Sequence, residues 1–240
     1  MPGHDLLAPL AKAPDRSALI LDVDGTLSPI APRPELAVVP EQTRTELRRL
    51  ASRYKLVACL SGRAGADAQR LVAVEGIEYV GNHGLELHPQ AEALAAEMAR
   101  FRDSIGLPVE DKGVTLAYHY REVDDEDVAR AELERVATRA RAAGLDARWG
   151  RKVLEIRPRV ETDKGTAVQA LLGRSGATRA LYAGDDTTDL DAFRGLRDAE
   201  LEHAVRIAVA SAEGPRELQD AADIVVAGPE ELVIEVLSAL

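Results

Sequence analysis

The 240-residue sequence predicts an α/β fold: a doubly wound parallel-sheet core interrupted by a smaller inserted α+β domain. Three observations predict it. Short apolar runs stop abruptly at glycine-rich or polar corners, helical patterns lie between those runs, and the middle of the chain changes to strict apolar–polar alternation. Continuous apolar runs of four to six residues mark strands covered on both faces, the habit of a parallel sheet. Their alternation with helices implies β-α-β units.

Taken in order, Ala18 to Leu21 runs into Asp22-Val23-Asp24-Gly25, and Lys55 to Leu60 into Ser61-Gly62-Arg63. Ile77 to Val80 runs into Gly81-Asn82-His83-Gly84, and Arg179 to Ala183 into Gly184-Asp185-Asp186. Arg206 to Ala210 and Asp223 to Ala227 are two more strands of this kind. Helices are expected over Glu41 to Ser52, Ala64 to Glu75, Asp163 to Gly173 and Thr187 to Leu196. The first places Leu47, Leu50 and Ala51 on one face; the third stacks Ala167, Ala170 and Leu171 and stops at Gly173, read as its C-cap. Ligands of such sheets sit outside the carboxyl ends of the strands, so the polar corners should converge on one site.

From His88 to Pro158 the segments "VTLAYHYR" and "KVLEIRP" alternate, which implies a sheet with one face on helices and the other open. Helices over Ala91 to Ile105 and Asp125 to Ala143 would cover the closed face. The expected organisation is therefore core over 1–87, inserted cap over 88–158, and core again over 159–240.

Acidic residues outnumber basic ones 41 to 30, so nucleic acid and anionic lipid are disfavoured partners. No apolar run approaches the eighteen or so residues needed to cross a bilayer, and the N-terminal stretch lacks the basic leader and apolar segment of a signal peptide. A single cysteine, Cys59, fits a reducing compartment, and a cytoplasmic location is expected. The expected partner is a small molecule, with no nucleic acid and no membrane, and the chain is expected to be a monomer.

Asp22 and Asp24, one residue apart at the end of a buried strand, would repel each other unless a cation joined them; Mg²⁺ takes oxygen ligands and commonly a substrate phosphate. Gly25 permits a sharp turn, and Thr26 offers a hydroxyl and an N–H to an anion. Alone, an Asp-x-Asp-Gly is more often a surface turn. The other corners change the balance. Ser61 supplies a hydroxyl, Lys164 a cation, and Asp185 with Asp186 further carboxylates, which together are the inventory for phosphoryl transfer through an aspartyl-phosphate.

The order D-x-D-G-T, S-G-R, K-G and G-D-D-x-x-D resembles the haloacid dehalogenase superfamily of phosphotransferases. That resemblance implies that Asp22 is the nucleophile and that Asp24 is the general acid, then the base that activates water. It implies further that Asp22, the Asp24 carbonyl and Asp185 hold Mg²⁺, that Asp186 or Asp189 steadies its waters, and that Ser61 and Lys164 hold the phosphoryl oxygens.

In the cap, Glu110 and Lys112 precede His119 and Arg121, which share one face of an alternating strand. Lys152 and Glu155, three apart, fall on opposite faces unless a turn or bulge intervenes. Such residues can satisfy many hydroxyls, as a sugar requires, although ordinary surface salt pairing competes with that reading. The segments "DVDGTLSPI", "LSGR", "GNHGLELH", "EDKGVTLAYHYR", "GRKVLEIRP" with "DKGTAV", and "GDDTTDLDAF" together resemble the trehalose-6-phosphate phosphatase family. This implies a sugar phosphate substrate, with Glu110, Lys112, His119, Arg121, Lys152 and Glu155 facing the disaccharide and Asn82 and His83 near the active site. Leu190 departs from the acidic residue usual after "TD" in the last motif. Two competing readings are a phosphatase or mutase for another sugar phosphate, such as sucrose or mannosyl phosphates, and a non-catalytic sugar-phosphate sensor. A synthase partner is left open.

Overall fold

The structure, a computed structural model, describes residues 4–120, 123, 125–150, 152–211 and 214–240. It divides into two units, Met1–Leu87 with Thr162–Leu240, and His88–Glu161. In chain order the first unit begins with α1 (His4–Ala11), β1 (Ser17–Leu21), α2 (Glu41–Ala51), β2 (Leu56–Leu60), α3 (Gly65–Val72) and β3 (Glu78–Val80). The second unit holds α4 (Ala91–Ile105), β4 (Glu110–Asp111), β5 (Leu116–His119), α5 (Glu126–Ala142), β6 (Asp146–Gly150) and β7 (Val153–Arg157). The chain then returns with α6 (Lys164–Ser175), β8 (Arg179–Gly184), α7 (Asp189–Asp198), β9 (His203–Val209), α8 (Arg216–Ala221) and β10 (Ile224–Val226). A helical segment from Pro229 follows to the C-terminus.

The first unit is a six-stranded parallel sheet in the order β10-β9-β8-β1-β2-β3. Successive side chains of a strand point to opposite faces, and both faces are apolar, so both must be covered. Leu19, Leu21, Val57, Cys59, Leu181 and Ile207 pack with α1, α2, α3 and the C-terminal segment. Ala18, Ile20, Ala58, Leu60 and Tyr182 pack on the other side with α6, α7 and α8. From β1 the chain steps outward one way to β2 and β3, then returns to β8 and steps outward the other way. The strand order therefore reverses between β1 and β8, which opens a crevice at their carboxyl ends.

The second unit is an antiparallel sheet in the order β4-β5-β7-β6. Leu116, Tyr118, Leu154 and Ile156 lie on one face and pack with Met98 and Phe101 of α4 and with Leu133, Val136, Ala137 and Ala140 of α5. Asp125 caps α5: its carboxylate accepts from the backbone N–H of Asp127 and Val128.

Several expected boundaries are corrected. Gly173 is not a C-cap; α6 runs through it and ends at Gly176, whose left-handed backbone (φ 63°) is what a cap requires. The buried stripe of α6 is Ala167, Val168, Leu171 and Leu172, with Ala170 only half-buried. The helix expected to Glu75 stops at Val72, because Ala73 turns left-handed (φ 54°), and α7 starts at Asp189 rather than Thr187. Among the described residues α1, α8, β4 and β6 were not expected. Each is too short, or at a sheet edge, to show a clear period.

Candidate active site

Asp22 follows β1, Ser61 follows β2 and Asp185 follows β8, three neighbouring strands whose pairing aligns Leu21 with both Cys59 and Ala183. In-register parallel pairing alone thus brings these corners to one edge of the sheet. Gly25 turns with φ +80°, and a Cβ there would lie 2.0 Å from Asp185 Oδ2, so the loop after β1 can lie against Asp185 only without a side chain. Thr26 Oγ1 donates to Asp185 Oδ1 at 3.2 Å.

Lys164 arrives from the N-terminus of α6. Asp163 caps that helix in a reciprocal capping box with Thr166. Gly165 and Gly195 let α6 and α7 cross backbone to backbone: a Cβ on Gly195 would meet Gly165 O at 2.3 Å, and one on Gly165 would meet Asp191 O at 2.4 Å. The close crossing lets Lys164 Nζ donate to Asp189 Oδ1 at 2.7 Å while lying 3.1 Å from Asp22 Oδ1.

Asp189 is fully buried and satisfied at both oxygens. Oδ1 accepts from Lys164 and from the Tyr182 hydroxyl at 2.7 Å; Oδ2 accepts from the backbone N–H of Asp185 and Asp186, each at 2.8 Å. It therefore pins the turn that carries Asp185. Asp186 is exposed and accepts from Thr187 N.

Carboxylate oxygens of Asp22, Asp185 and Asp189 all lie within 4.8 Å of one another, and all three residues are buried. Three carboxylates face one ammonium, which leaves two negative charges, the amount a divalent cation cancels. Burial, joined by that excess, is visible in the acidities. Burial, and then Asp189, push Asp185 up to about 7, and burial holds Asp22 well above the ordinary carboxylate range despite Lys164. Burial would strip the charge from Lys164, but Asp22 and Asp189 outweigh it and hold the ammonium above its ordinary value. All-oxygen donors of this kind suit a hard cation.

Asp24 is turned to Arg63, whose Nε and Nη2 donate to its two oxygens at 2.6 Å each. Ser61 is buried, and its Oγ accepts from Arg63 N at 3.1 Å. Asn82 and His83 form a left-handed turn (φ 53° and 54°) docked on the same corner: Asn82 N donates to Arg63 O and His83 N to Ser61 O. The His83 ring lies over Gly62, where a Cβ would meet it at 2.8 Å. Glu86, which sequence reasoning missed, ties this turn together by accepting from Gly65 N, Gly81 N and Asn82 Nδ2. Tyr182 was missed as well; a phenol inside a buried strand needs a polar partner, and that requirement was its signal.

In the second unit, Glu110, Ala117, Glu155 and Arg148 form a row of register partners across the four strands. Lys112, His119, Arg148 and Glu155 line a cavity of about 270 Å³ beside Trp149. His119 Nε2 lies 2.8 Å from Glu110 Oε2. Lys152 does not join them. It occupies a left-handed turn (φ 59°) and pairs with Glu126 at the start of α5. Trp149 packs edge-on to Tyr120 beneath the Arg130 guanidinium. Arg121 lies outside the described residues. Cys59 is a fully buried core thiol.

A parallel sheet with acids and a lysine gathered at its switch point, and an antiparallel domain inserted after its third strand, is the haloacid dehalogenase-like architecture. The chain belongs to the trehalose-phosphatase family, whose model matches residues 20–225. It is 38% identical over 206 residues to a trehalose-phosphate phosphatase of Mycolicibacterium paratuberculosis, a match covering 75% of this chain and 51% of that protein. A probable trehalose-phosphate phosphatase of Arabidopsis thaliana is 31% identical over 210 residues, covering 75% of this chain and 57% of that one. An uncharacterised glycosyl hydrolase of Mycobacterium tuberculosis is 38% identical over 206 residues, 76% of this chain but 15% of its own length. The chain thus spans about half the length, or much less, of these curated relatives. Among solved structures, a trehalose-6-phosphate phosphatase related protein shares the fold with a TM-score of 0.70 at 23% identity, covering 92% of this chain and 95% of that one. The C-terminal domain of the Candida albicans trehalose-6-phosphate phosphatase gives 0.65 at 21% identity, covering 99% and 97%. Among the described residues no helix is long and apolar enough to cross a membrane.

Proposed function

We propose that the chain hydrolyses trehalose 6-phosphate to trehalose and inorganic phosphate through an aspartyl-phosphate. The observation that carries this reading is the buried Lys164 ammonium shared by Asp22 and Asp189 beside Asp185. Family membership supports the phosphatase chemistry. An Asp22 oxygen attacks phosphorus as the bond from phosphorus to the sugar oxygen breaks, and Asp24 gives its proton to that oxygen. In the second half, Asp24 takes a proton from the water that hydrolyses the acyl phosphate. Ser61 and Lys164 donate to the phosphoryl oxygens, whose charge redistributes in the transition state.

Asp22, the Asp24 carbonyl and Asp185 would hold Mg²⁺, which supplies charge neutralisation for the phosphoryl oxygens. Asp189, with both oxygens already occupied, orients Lys164 and the Asp185 turn instead of ligating, and Asp186 stands beside that turn. Glu110, Lys112, His119, Arg121 and Glu155 recognise sugar hydroxyls in this reading. Lys152 braces α5, and Asn82 and His83 brace the Ser61 corner.

Phosphate release from trehalose 6-phosphate, with and without a chelator, tests the proposal. Chelation should abolish turnover and added Mg²⁺ restore it. Equal or faster turnover of sucrose or mannose phosphate would move the assignment to another sugar phosphate.

A further inference from the structure

Arg63 faces the acidic corner but takes no part in the proposed phosphoryl-transfer steps. Its guanidinium grips both oxygens of Asp24 in a planar fork, at 2.6 Å each, and also donates to Pro34 O at 3.1 Å. The Arg63 side chain is only 18% exposed, against 42% for Asp24. Its backbone is fixed as well: the N–H donates to Ser61 Oγ, and the carbonyl accepts from Asn82 N. A rigid, largely buried cation is thus aimed from the β2 corner at a half-exposed carboxylate on the β1 corner. An aspartate in that exposed setting, without such a fork, samples several rotamers.

We propose that Arg63 is the positioning residue of Asp24, fixing the rotamer from which Asp24 exchanges protons with the sugar oxygen and with water. The inference rests on the phosphatase reading given above. In the first step Asp24 carries one proton and keeps a single bond to the guanidinium through its other oxygen. The proton passes to the sugar oxygen as the phosphorus–oxygen bond breaks, leaving a carboxylate that both Arg63 donors recapture. That doubly held carboxylate is the arrangement in the structure, and it is the form that accepts a proton from the attacking water. Pro34 binds the same guanidinium, so the loop between Ser28 and Pro40 is tied to this corner as well.

A positioning role separates from a merely structural one by leaving group. A sugar alkoxide needs a proton to depart, whereas p-nitrophenolate does not. The ratio kcat/KM, which covers only steps through release of the alcohol, should be compared for trehalose 6-phosphate and p-nitrophenyl phosphate. General acid catalysis contributes about 10²–10⁴-fold, so Arg63→Met should lower the sugar-to-aryl ratio by about tenfold or more. Arg63→Lys, a single-point donor, should restore part of it. In an Asp24→Asn background Arg63→Met should change the ratio no further, because the two residues act as one unit. If Arg63→Met does not fold, judged by circular dichroism, Arg63→Lys and its cycle with Asp24→Asn carry the test. Equal losses on both esters, or an undiminished effect in the Asp24→Asn background, overturn the role of Arg63 and leave the phosphatase reading standing. A wild-type protein that hydrolyses neither ester overturns that reading and this inference with it.

Discussion

Replacing Lys164 by methionine deletes the ammonium lodged among three buried acids while keeping a long, unbranched side chain of similar volume. Its nitrogen lies 2.7 Å from Asp189 Oδ1 and 3.1 Å from Asp22 Oδ1. At an effective dielectric of about 20, each contact is worth roughly 5–6 kcal/mol of gross attraction, opposed by several kcal/mol of dehydration per ion. Removing one partner of a buried pair typically costs about 3–5 kcal/mol, because the other charge is left uncompensated. Here the abandoned acids can escape part of that cost by binding protons. A carboxyl raised in the folded state adds stability below its unfolded value and loses it as pH rises through the folded one. Asp22 and Asp185 are already raised, and Lys164 opposes that rise at both, so its loss raises them further. The deficit should therefore grow between pH 5 and pH 8, by about 1.4 kcal/mol for every tenfold further weakening of a buried acid. Urea unfolding of metal-free protein at the two pH values measures it, and added Mg²⁺ should recover part of the loss at pH 8. A deficit equal at both pH values, or under about 1 kcal/mol at pH 8, would refute the charge-balance argument.

On the proposed covalent route, Asp22→Asn turns the attacking carboxylate into a weakly nucleophilic amide and should lower turnover of every phosphomonoester by about three orders of magnitude or more; phosphate release at wild-type rates would exclude that route. Asp185, ordinarily near 3.8 and here about 7, contributes stability below pH 4 that is lost as pH rises to 7. That loss is at most about 4 kcal/mol. Metal-free protein should accordingly melt lower at pH 8 than at pH 5, and Mg²⁺ should raise the Tm more at pH 8; a metal effect independent of pH would count against the site. Glu155→Ala should damage kcat/KM for trehalose 6-phosphate far more than for an aryl phosphate, and equal losses would remove Glu155 from sugar recognition. Gly195→Ala puts a methyl 2.3 Å from Gly165 O, where only backbone can yield. It should cost about 1–3 kcal/mol in chemical denaturation and lower turnover by moving Lys164, and an unchanged denaturation midpoint would show that the crossing relaxes freely.

The local part of the fold was legible because each strand of a doubly covered sheet must be apolar throughout and must stop where its ligand-facing corner begins. "ALIL" before Asp22, "KLVACL" before Ser61 and "RALYA" before Gly184 declared themselves in that way. The inserted unit declared itself by alternation, since a sheet covered on one side repeats every second residue. Helix ends were less legible: Gly173 and Gly176 are chemically alike, and only the backbone angle at Gly176 makes it the cap. What the chain alone could not decide is how each charge is used, because that depends on which strands become neighbours. Asp24 and Arg63 are 39 residues apart, and Lys164 and Asp189 are 25 apart. The first pair meets because β1 and β2 align in register, the second because two glycines let α6 and α7 touch. The same holds for Lys152, which a single left-handed turn sends to Glu126 and away from Glu155. A residue's chemistry is local, whereas its partner is set by packing, so the sequence determined the inventory of groups and the tertiary structure decided their pairing.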